Sequence, residues 1–481
     1  MFTLNDILVG NAHNFRLQTT AQADPNQTFS EAHHDSRLLK PGDLFIARKG
    51  ETVDGHRFIP DAARAGAGAA LCAEPADDAP PEFLQIVVPD VLKALHATAR
   101  TRAQRQEHTI FIGITGSNGK TSTKDAVATV LSHQAPTLKT FASYNHELGY
   151  PQTLLRLEPQ HRYAVLEMGA QWVGELAWLS ETIARPDWSI ITNVGAAHLG
   201  YFGSQERVAQ AKSELVQVLR PDGIAILNYD DPNVQAMREK TRARVLFYGL
   251  SPQAHIYGDE ITGDPLSGCS FTLNYQYTQR RVELHLPGRH SLMTALAAAA
   301  AGIAAEMQID DICAALEELK TAPGRCEIKT GPNGCVLIDD TYNANRQSIL
   351  AALQAIRESS LGRHGKRWIV LGDIFELGEY ARQEHFDSGE AVAGAADYLI
   401  AIGDQARFYV EGALHAGMKA GQISYFGANV ENAAELETAK RAAADLLVRE
   451  IHGEDLLLLK GSRGMRMETM INMWQEKQNG S

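Results

Sequence analysis

Residues 108–133, HTIFIGITGSNGKTSTKDAVATVLSH, constrain this chain more than any other stretch. The first part is a continuous apolar run rich in β-branched residues, which predicts a strand buried on both faces. Such a strand needs helices on both sides of its sheet, so the surrounding chain is committed to an α/β fold with a mostly parallel sheet. The run breaks at Gly116-Ser117-Asn118-Gly119 and resumes as a helix from Lys120. Glycines let a phosphate approach the backbone, and the free amides at a helix start attract it. Lys120 then reaches the β/γ oxygens, and Thr121 offers a hydroxyl to Mg²⁺. Ser117, Asn118 and Ser122 complete the loop, although Ile114 stands where the common phosphate-loop spacing has its first glycine. An ordinary strand–helix turn leaves Gly, Lys and Thr together unexplained, so ATP or GTP is the expected ligand.

At 481 residues the chain exceeds one core, and about 100–200 residues per domain suggests three. A small α/β domain is expected over 1–88, ending in the Pro/Asp-rich DDAPPEF. A central nucleotide-binding domain spans 89–320 and a Rossmann-like domain spans 321–481. In the central part YAVLE, WSIIT and GIAILN read as further buried strands, RVLFYGL, CSFTLNY and RVELHLP as more strands, and SLMTALAAAAAGIAAEM as a helix. After Lys320 the runs VLIDD, WIVLGD, YLIAIGD and DLLLLKGSR alternate with helical segments.

The net charge of −13 gives no global attraction for nucleic acid, so an anionic substrate needs a local basic pocket. The N-terminus lacks a basic stretch before an apolar run. The longest apolar tract, Ala295 to Ala305, falls far short of the roughly 20 residues of a membrane span. Five cysteines without a C-x-x-C pair argue against a disulfide framework or a cysteine zinc site. A cytoplasmic protein, without membrane insertion and acting as a monomer, is expected.

Polar residues recur just past the other strands: Glu167, Asn193, His198, Asp230 and Asp231. Open α/β sheets bind ligands at the carboxyl ends of their strands, so Glu167 and His198 are candidates for a metal beside the γ-phosphate. Each taken alone is more often a capped turn or a surface charge, and only their shared position relative to the phosphate loop brings the functional reading level with that one. In the first 88 residues DSRLLKPGDLFIARKG and DGHRF read either as hairpin turns or as a local receptor for a nucleotide diphosphate. DDTYNAN, GDIFELG, His385 and KGSRGM in the last part supply caps, or the second half of a site. Lys212, on sequence alone, is a solvated lysine.

The ordered set TGSNGKTS, YNHELG, LEMGA, TNVGAAHL, AKSEL, GRHSLMTA, PGR, DDTYNAN, LGDIFELG and KGSR resembles the Mur ligase family over nearly the whole chain. The resemblance implies an ATP-dependent ligase that joins a carboxylate to an amine through an acyl-phosphate. DDTYNAN with LGDIFELG resembles the branch that joins D-alanyl-D-alanine to UDP-N-acetylmuramoyl-tripeptide. It further implies that Gly116 to Ser122, His290, Thr294, Arg325, Asp340 and Asn343 bind ATP, with Lys120, His198 and Lys212 catalytic. Thr121, Glu167, His198 and Lys212 are implied at Mg²⁺, with Lys212 carbamylated. Ser36, Arg37, Gly50, Asp54 and His56 are implied on the UDP side, and Tyr342 and Asn345 on the dipeptide side. Four positions depart from the family pattern: His146, Gly200, Thr294 and Arg346. A threonine in place of asparagine at 294 removes one adenine contact.

Overall fold

The computed structural model describes residues 1–12, 14–50, 53–195 and 199–479. The buried strand Ile110–Thr115 lies between Tyr163–Glu167 and Trp188–Ile191 and runs parallel to both. Thr137–Lys139 closes one edge in parallel, and Ile224–Asn228 and Arg244–Gly249 extend the other. The chain steps from Ile110–Thr115 to one side and later to the other, so this strand is the point where strand order reverses. Ligands of open α/β sheets bind at such a point. Ile256–Asp264, Gly268–Tyr275 and Thr278–Leu284 complete nine strands among the described residues, the last two antiparallel. Ile256–Asp264 (IYGDEITGD) went unread in the sequence, because its glycines and acids interrupt the alternation that marks a strand.

On one face of this sheet the phosphate-loop helix Lys120–Ser132 packs against His290–Ala304. The contact joins Val127, Val130 and Leu131 to the alanine run Ala295 to Ala301, whose small side chains let the helices approach closely. Glu175–Thr182 and Gln205–Gln217 cover the other face through Leu176, Leu179, Leu215 and Val216.

The first 88 residues hold a five-stranded sheet, ordered Arg16–Gln18, Gln85–Val87, Ala69–Cys72, Leu44–Ala47 and Ala32–His33. Phe2, Leu4 and Ile7 pack in one apolar cluster with Leu95 of the helix Val91–Gln104 and with Leu154 and Leu166. The N-terminal sheet therefore shares its core with the central one. Buried Asp6 reinforces the seam through ion pairs with Arg102 at 3.7 Å and with Arg105.

The last third forms a six-stranded sheet, ordered Glu327–Thr330, Val336–Asp340, Leu456–Lys460, Arg367–Gly372, Tyr398–Ile402 and Ile423–Phe426. Only the first is antiparallel. Leu457 and Leu459 enter the cluster on one face, Leu456 and Leu458 that on the other, which explains the unbroken leucine run. No helix among the described residues is long and apolar enough to cross a membrane. Leu458 is fully buried in a strand with neighbours on both sides. Leu458→Ala is expected to destabilise this unit by about 2–5 kcal/mol, read as an earlier urea unfolding transition.

Candidate active site

The carboxyl ends of Ile110–Thr115, Tyr163–Glu167, Trp188–Ile191 and Ile224–Asn228 open into a cleft of about 2340 Å³, walled on its far side by the C-terminal sheet unit. The loop after Ile110–Thr115 is bolted to the next strand end. Ser117 N donates to Asn193 O at 2.9 Å and Asn118 N to Asn193 Oδ1 at 2.9 Å. Thr192 Oγ1 donates to Asn118 O at 2.6 Å. A Cβ on Gly116 would collide with Thr192 Oγ1, and Gly119 has φ 78° where the chain turns into the helix. Glycine is therefore required twice. Lys120 curls over the loop, its Nζ donating to Gly116 O at 2.8 Å and Ser117 O at 3.4 Å. Burial lowers the Lys120 pKa, while the negative charge of Glu167 opposes the shift.

Glu167 is 1% exposed. Asn145 Nδ2 donates to its Oε1 at 2.7 Å, whereas Oε2 is buried with no hydrogen-bond partner among the described residues. A buried carboxylate oxygen left unpaired is costly unless something completes it. A hard cation suits this oxygen and the Thr121 hydroxyl, so the residues fit Mg²⁺. No three His, Cys, Asp or Glu side chains of the described residues converge as a metal cluster, so oxygens from a nucleotide and water would have to complete such a site. Lys212 lies on Gln205–Gln217, 2% exposed and lining the cleft. Burial, and secondarily the charge of Lys120, push its pKa well below the usual lysine range. Its surroundings therefore disfavour the charged form, unlike those of the solvated cation its sequence context suggests. His198 lies outside the described residues.

The C-terminal unit reaches into the same cleft. Arg325 donates to Thr121 Oγ1 at 3.2 Å and lies over the Tyr342 ring at 4.0 Å. Tyr342 donates to Ser143 Oγ at 2.5 Å, and Ser143 Oγ lies 3.2 Å from Thr121 Oγ1. Asn345 caps the helix Arg346–Glu358 through Ser348 N, and its Nδ2 donates to Asn118 Oδ1 at 2.5 Å, so it faces the phosphate loop. Asp340 is held by Lys460 Nζ at 2.5 Å and by Cys326 N at 3.2 Å, and Asn343 O accepts from the same lysine at 3.0 Å. His290 and Thr294 line the cleft one turn apart on their helix, the His290 ring resting where Gly288 has no Cβ. Arg346 pairs with Asp387 at 3.2 Å.

Other sequence candidates lie elsewhere. Asp230 accepts from Leu250 N and Ser251 N, and Asp231 from Val194 N and its own helix start, so both hold turns. Ser36, Arg37, Gly50, Asp54 and His56 do not line this cleft, to which the N-terminal sheet unit contributes Met1, Ser30 and Glu31. Arg37 folds onto Asp35, and that hydrogen bond holds the Asp35 carboxyl down at about 2. His56 is committed at both nitrogens, Nδ1 to Asp54 at 2.7 Å and Nε2 to Ala73 N at 3.0 Å. Gly50 N closes a turn onto Val53 O at 2.9 Å.

Sequence reasoning gave no role to Ser143, Asn145, Lys124 or Gln347. Lys124 lies one turn beyond Lys120 and donates to Ala142 O at 2.8 Å. Ala142, at φ 47°, turns Ser143 and Asn145 into the cleft. The YNHELG motif carried the one available signal, Asn145.

These features define a phosphate-loop α/β protein with a composite cleft. The Mur ligase middle domain matches residues 114–302, the Mur ligase glutamate ligase domain 324–463 and the Mur ligase family catalytic domain 29–103. The chain belongs to the Mur ligase family. It is 37% identical over 447 residues to the UDP-N-acetylmuramoyl-tripeptide–D-alanyl-D-alanine ligase of Escherichia coli, covering 92% of this chain and 93% of that protein. The crystal structure of MurF from Acinetobacter baumannii superposes with a TM-score of 0.83 at 31% identity, over 98% of this chain and 99% of that one. MurF from Thermotoga maritima in complex with ADP gives 0.76 at 25% identity, over 94% and 98%.

His385 sets the GDIFELG segment that lines the cleft. Its Nε2 accepts from Ile374 N at 3.0 Å and its Nδ1 donates to Ala381 O at 2.6 Å. Burial pushes its pKa down to about 4, against about 6.5 in an unfolded chain. The unfolded chain therefore takes up this proton first. Stability from this group is complete above the unfolded value and is lost as pH falls toward 4. Asp373, raised by burial to about 6, opposes the trend over the lower part of that window. The His385 contribution is about 3 kcal/mol, and His385→Gln should flatten the acid decline of the urea midpoint between those two pH values.

Proposed function

We propose that the protein is an ATP-dependent ligase that adds D-alanyl-D-alanine to UDP-N-acetylmuramoyl-tripeptide in the cytoplasm. The observation that carries this reading is the meeting of the phosphate loop, the orphaned Glu167 oxygen and the buried Lys212 amine at one end of a parallel sheet, faced by Arg325, Tyr342 and Asn345. The names of its relatives supply the substrates. The N-terminal unit, 1–88, carries the UDP end through Ser36, Arg37, Gly50, Asp54 and His56. The central unit, 89–320, carries ATP, and the unit 321–481 closes over both.

The tripeptide carboxylate attacks the γ-phosphorus of ATP, the bond to the β-γ bridging oxygen breaks, and ADP leaves an acyl-phosphate. The dipeptide amine attacks the acyl carbon, inorganic phosphate departs, and the new amide nitrogen loses a proton. In-line phosphoryl transfer asks the protein mainly for position and charge neutralisation. With Ser117 N and Asn118 N spent on Asn193, the amides at the helix start, Lys120 to Ser122, hold the β-phosphate. Lys120 exchanges its carbonyl partners, Gly116 and Ser117, for β/γ oxygens. Thr121 and Glu167, with His198, would hold Mg²⁺, which would supply positive charge to the phosphates. His290, Thr294, Asp340 and Asn343 form the adenosine side, with Arg325 over the phosphates. Tyr342 and Asn345 border the dipeptide. Lys212, reacting as the neutral amine, takes up CO₂ and loses one proton to give an anionic carbamate, an oxygen ligand suited to the cation the site would hold.

The test is phosphate release from ATP with UDP-N-acetylmuramoyl-tripeptide and either D-alanyl-D-alanine or single amino acids. Release coupled to UDP-pentapeptide formation with the dipeptide alone is expected. Turnover with a single amino acid assigns a different ligase, and none with any acceptor removes the reading. Lys120→Ala and Glu167→Gln should each lower kcat by about 10²–10³-fold. Lys212→Ala should lose activity that bicarbonate with a short-chain carboxylate partly restores; an unmodified Lys212 mass in the active enzyme would sink the carbamate.

A further inference from the structure

The helix Arg346–Glu358 begins directly over the phosphate loop, its start fixed by a reciprocal cap between Asn345 and Ser348. The cap aims Gln347, two residues on, across the cleft. Gln347 Oε1 accepts from Asn118 Nδ2 at 2.8 Å, and Asn345 Nδ2 donates to Asn118 Oδ1 at 2.5 Å. Both ends of the Asn118 amide are thus read by the C-terminal unit, while its backbone is held by Thr192 and Asn193 of the central sheet. The Gln347 amide also occupies the space that a side chain on Gly195 would need: a Cβ there would overlap Oε1 and crowd the amide carbon. Gly195 in turn exchanges hydrogen bonds with Ser117, its N donating to Ser117 Oγ at 2.8 Å and its O accepting from that hydroxyl at 3.2 Å. A second contact beside it is equally close. Gly200 N donates to Glu376 O at 3.1 Å, and Tyr380 donates to Gly203 O at 3.2 Å.

We propose that Gln347 is a positioning residue, a latch that locks the C-terminal unit onto the phosphate loop by seating its amide on Gly195 and gripping Asn118. It touches the loop, not the reacting atoms. The Asn118 side chain meets Gln347 and Asn345 only when the two units are docked, so this side chain, on a loop whose backbone the central sheet already holds, is set together with the arrival of Tyr342, Asn345 and Arg325. ATP chemistry is thereby tied to closure, and release of products requires Gln347 to leave Gly195. The proposal rests on the ligase reading for its effect on turnover, and on packing alone for its effect on shape.

The test is a double-mutant cycle on the full chain, read both by turnover and by radius of gyration in small-angle X-ray scattering with ADP and Mg²⁺. Gln347→Gly should lower kcat several-fold with little change in the KM for the UDP-tripeptide. Gly195→Ala should push the flexible Gln347 amide off its seat, leaving the protein more open and lowering kcat several-fold, as Gln347→Gly does. Combining the two should add nothing to Gln347→Gly alone, because both remove the same contact. That equality also shows that the alanine by itself does not spoil folding. A Gly195→Ala protein as compact and active as the parent, or a double variant well below both single variants, overturns the latch. A parent protein that makes no amide while the scattering cycle behaves as described removes the ligase reading and leaves the latch standing.

Discussion

The site depends on the join between the phosphate loop and the strand end beside it. Ser117 and Asn118 form no part of a regular sheet ladder, yet their amide groups are held by Asn193 and Thr192 with the regularity of one. A loop that must present free amides to phosphate has to be rigid without using those amides internally. This one takes its rigidity from the neighbouring strand, which Asn228 steadies in turn by donating to Thr192 O at 2.8 Å. Gly116 is glycine on two counts, its own φ of 155° and the closeness of Thr192, which leaves no room for a Cβ.

The same economy appears across the cleft. Arg325, Tyr342, Ser143 and Thr121 form a connected chain from the C-terminal unit to the phosphate-loop helix, and Asn345 and Gln347 form a parallel one to Asn118. Most groups suited to phosphate and metal are satisfied by one another, but one Glu167 oxygen and Arg325 Nε are buried and find no hydrogen-bond partner among the described residues. An unpaired buried carboxylate oxygen is the least expected feature of an inert structure and an ordinary one of a cation site.

The parallel sheets were legible because strands buried on both faces must be apolar throughout, as in IFIGIT and LLLL. The phosphate loop was legible because it needs Gly, Lys and Thr in a local order. Ile256–Asp264 and Ile423–Phe426 were not read, since strands toward a sheet edge carry polar or half-exposed residues that resemble loop. Asp231 and Asn345 show why polar residues after a strand are ambiguous: one caps a helix and pins Val194, while the other caps a helix and also reaches the phosphate loop. Local sequence is the same kind of signal in both cases, and only the packing of a distant unit separates them.

The sequence by itself determined the layer architecture and the phosphate loop, because both follow from short-range periodicity and from backbone needs that few residue types meet. Tertiary structure decided the surroundings of Lys212, an unremarkable helix lysine in sequence whose pKa burial and the Lys120 charge push down. It also decided what fills the space beside Gly195, since the Gln347 amide that occupies it lies more than a hundred residues away in the chain. Desolvation, charge proximity and steric exclusion act through space, and sequence order carries no record of them.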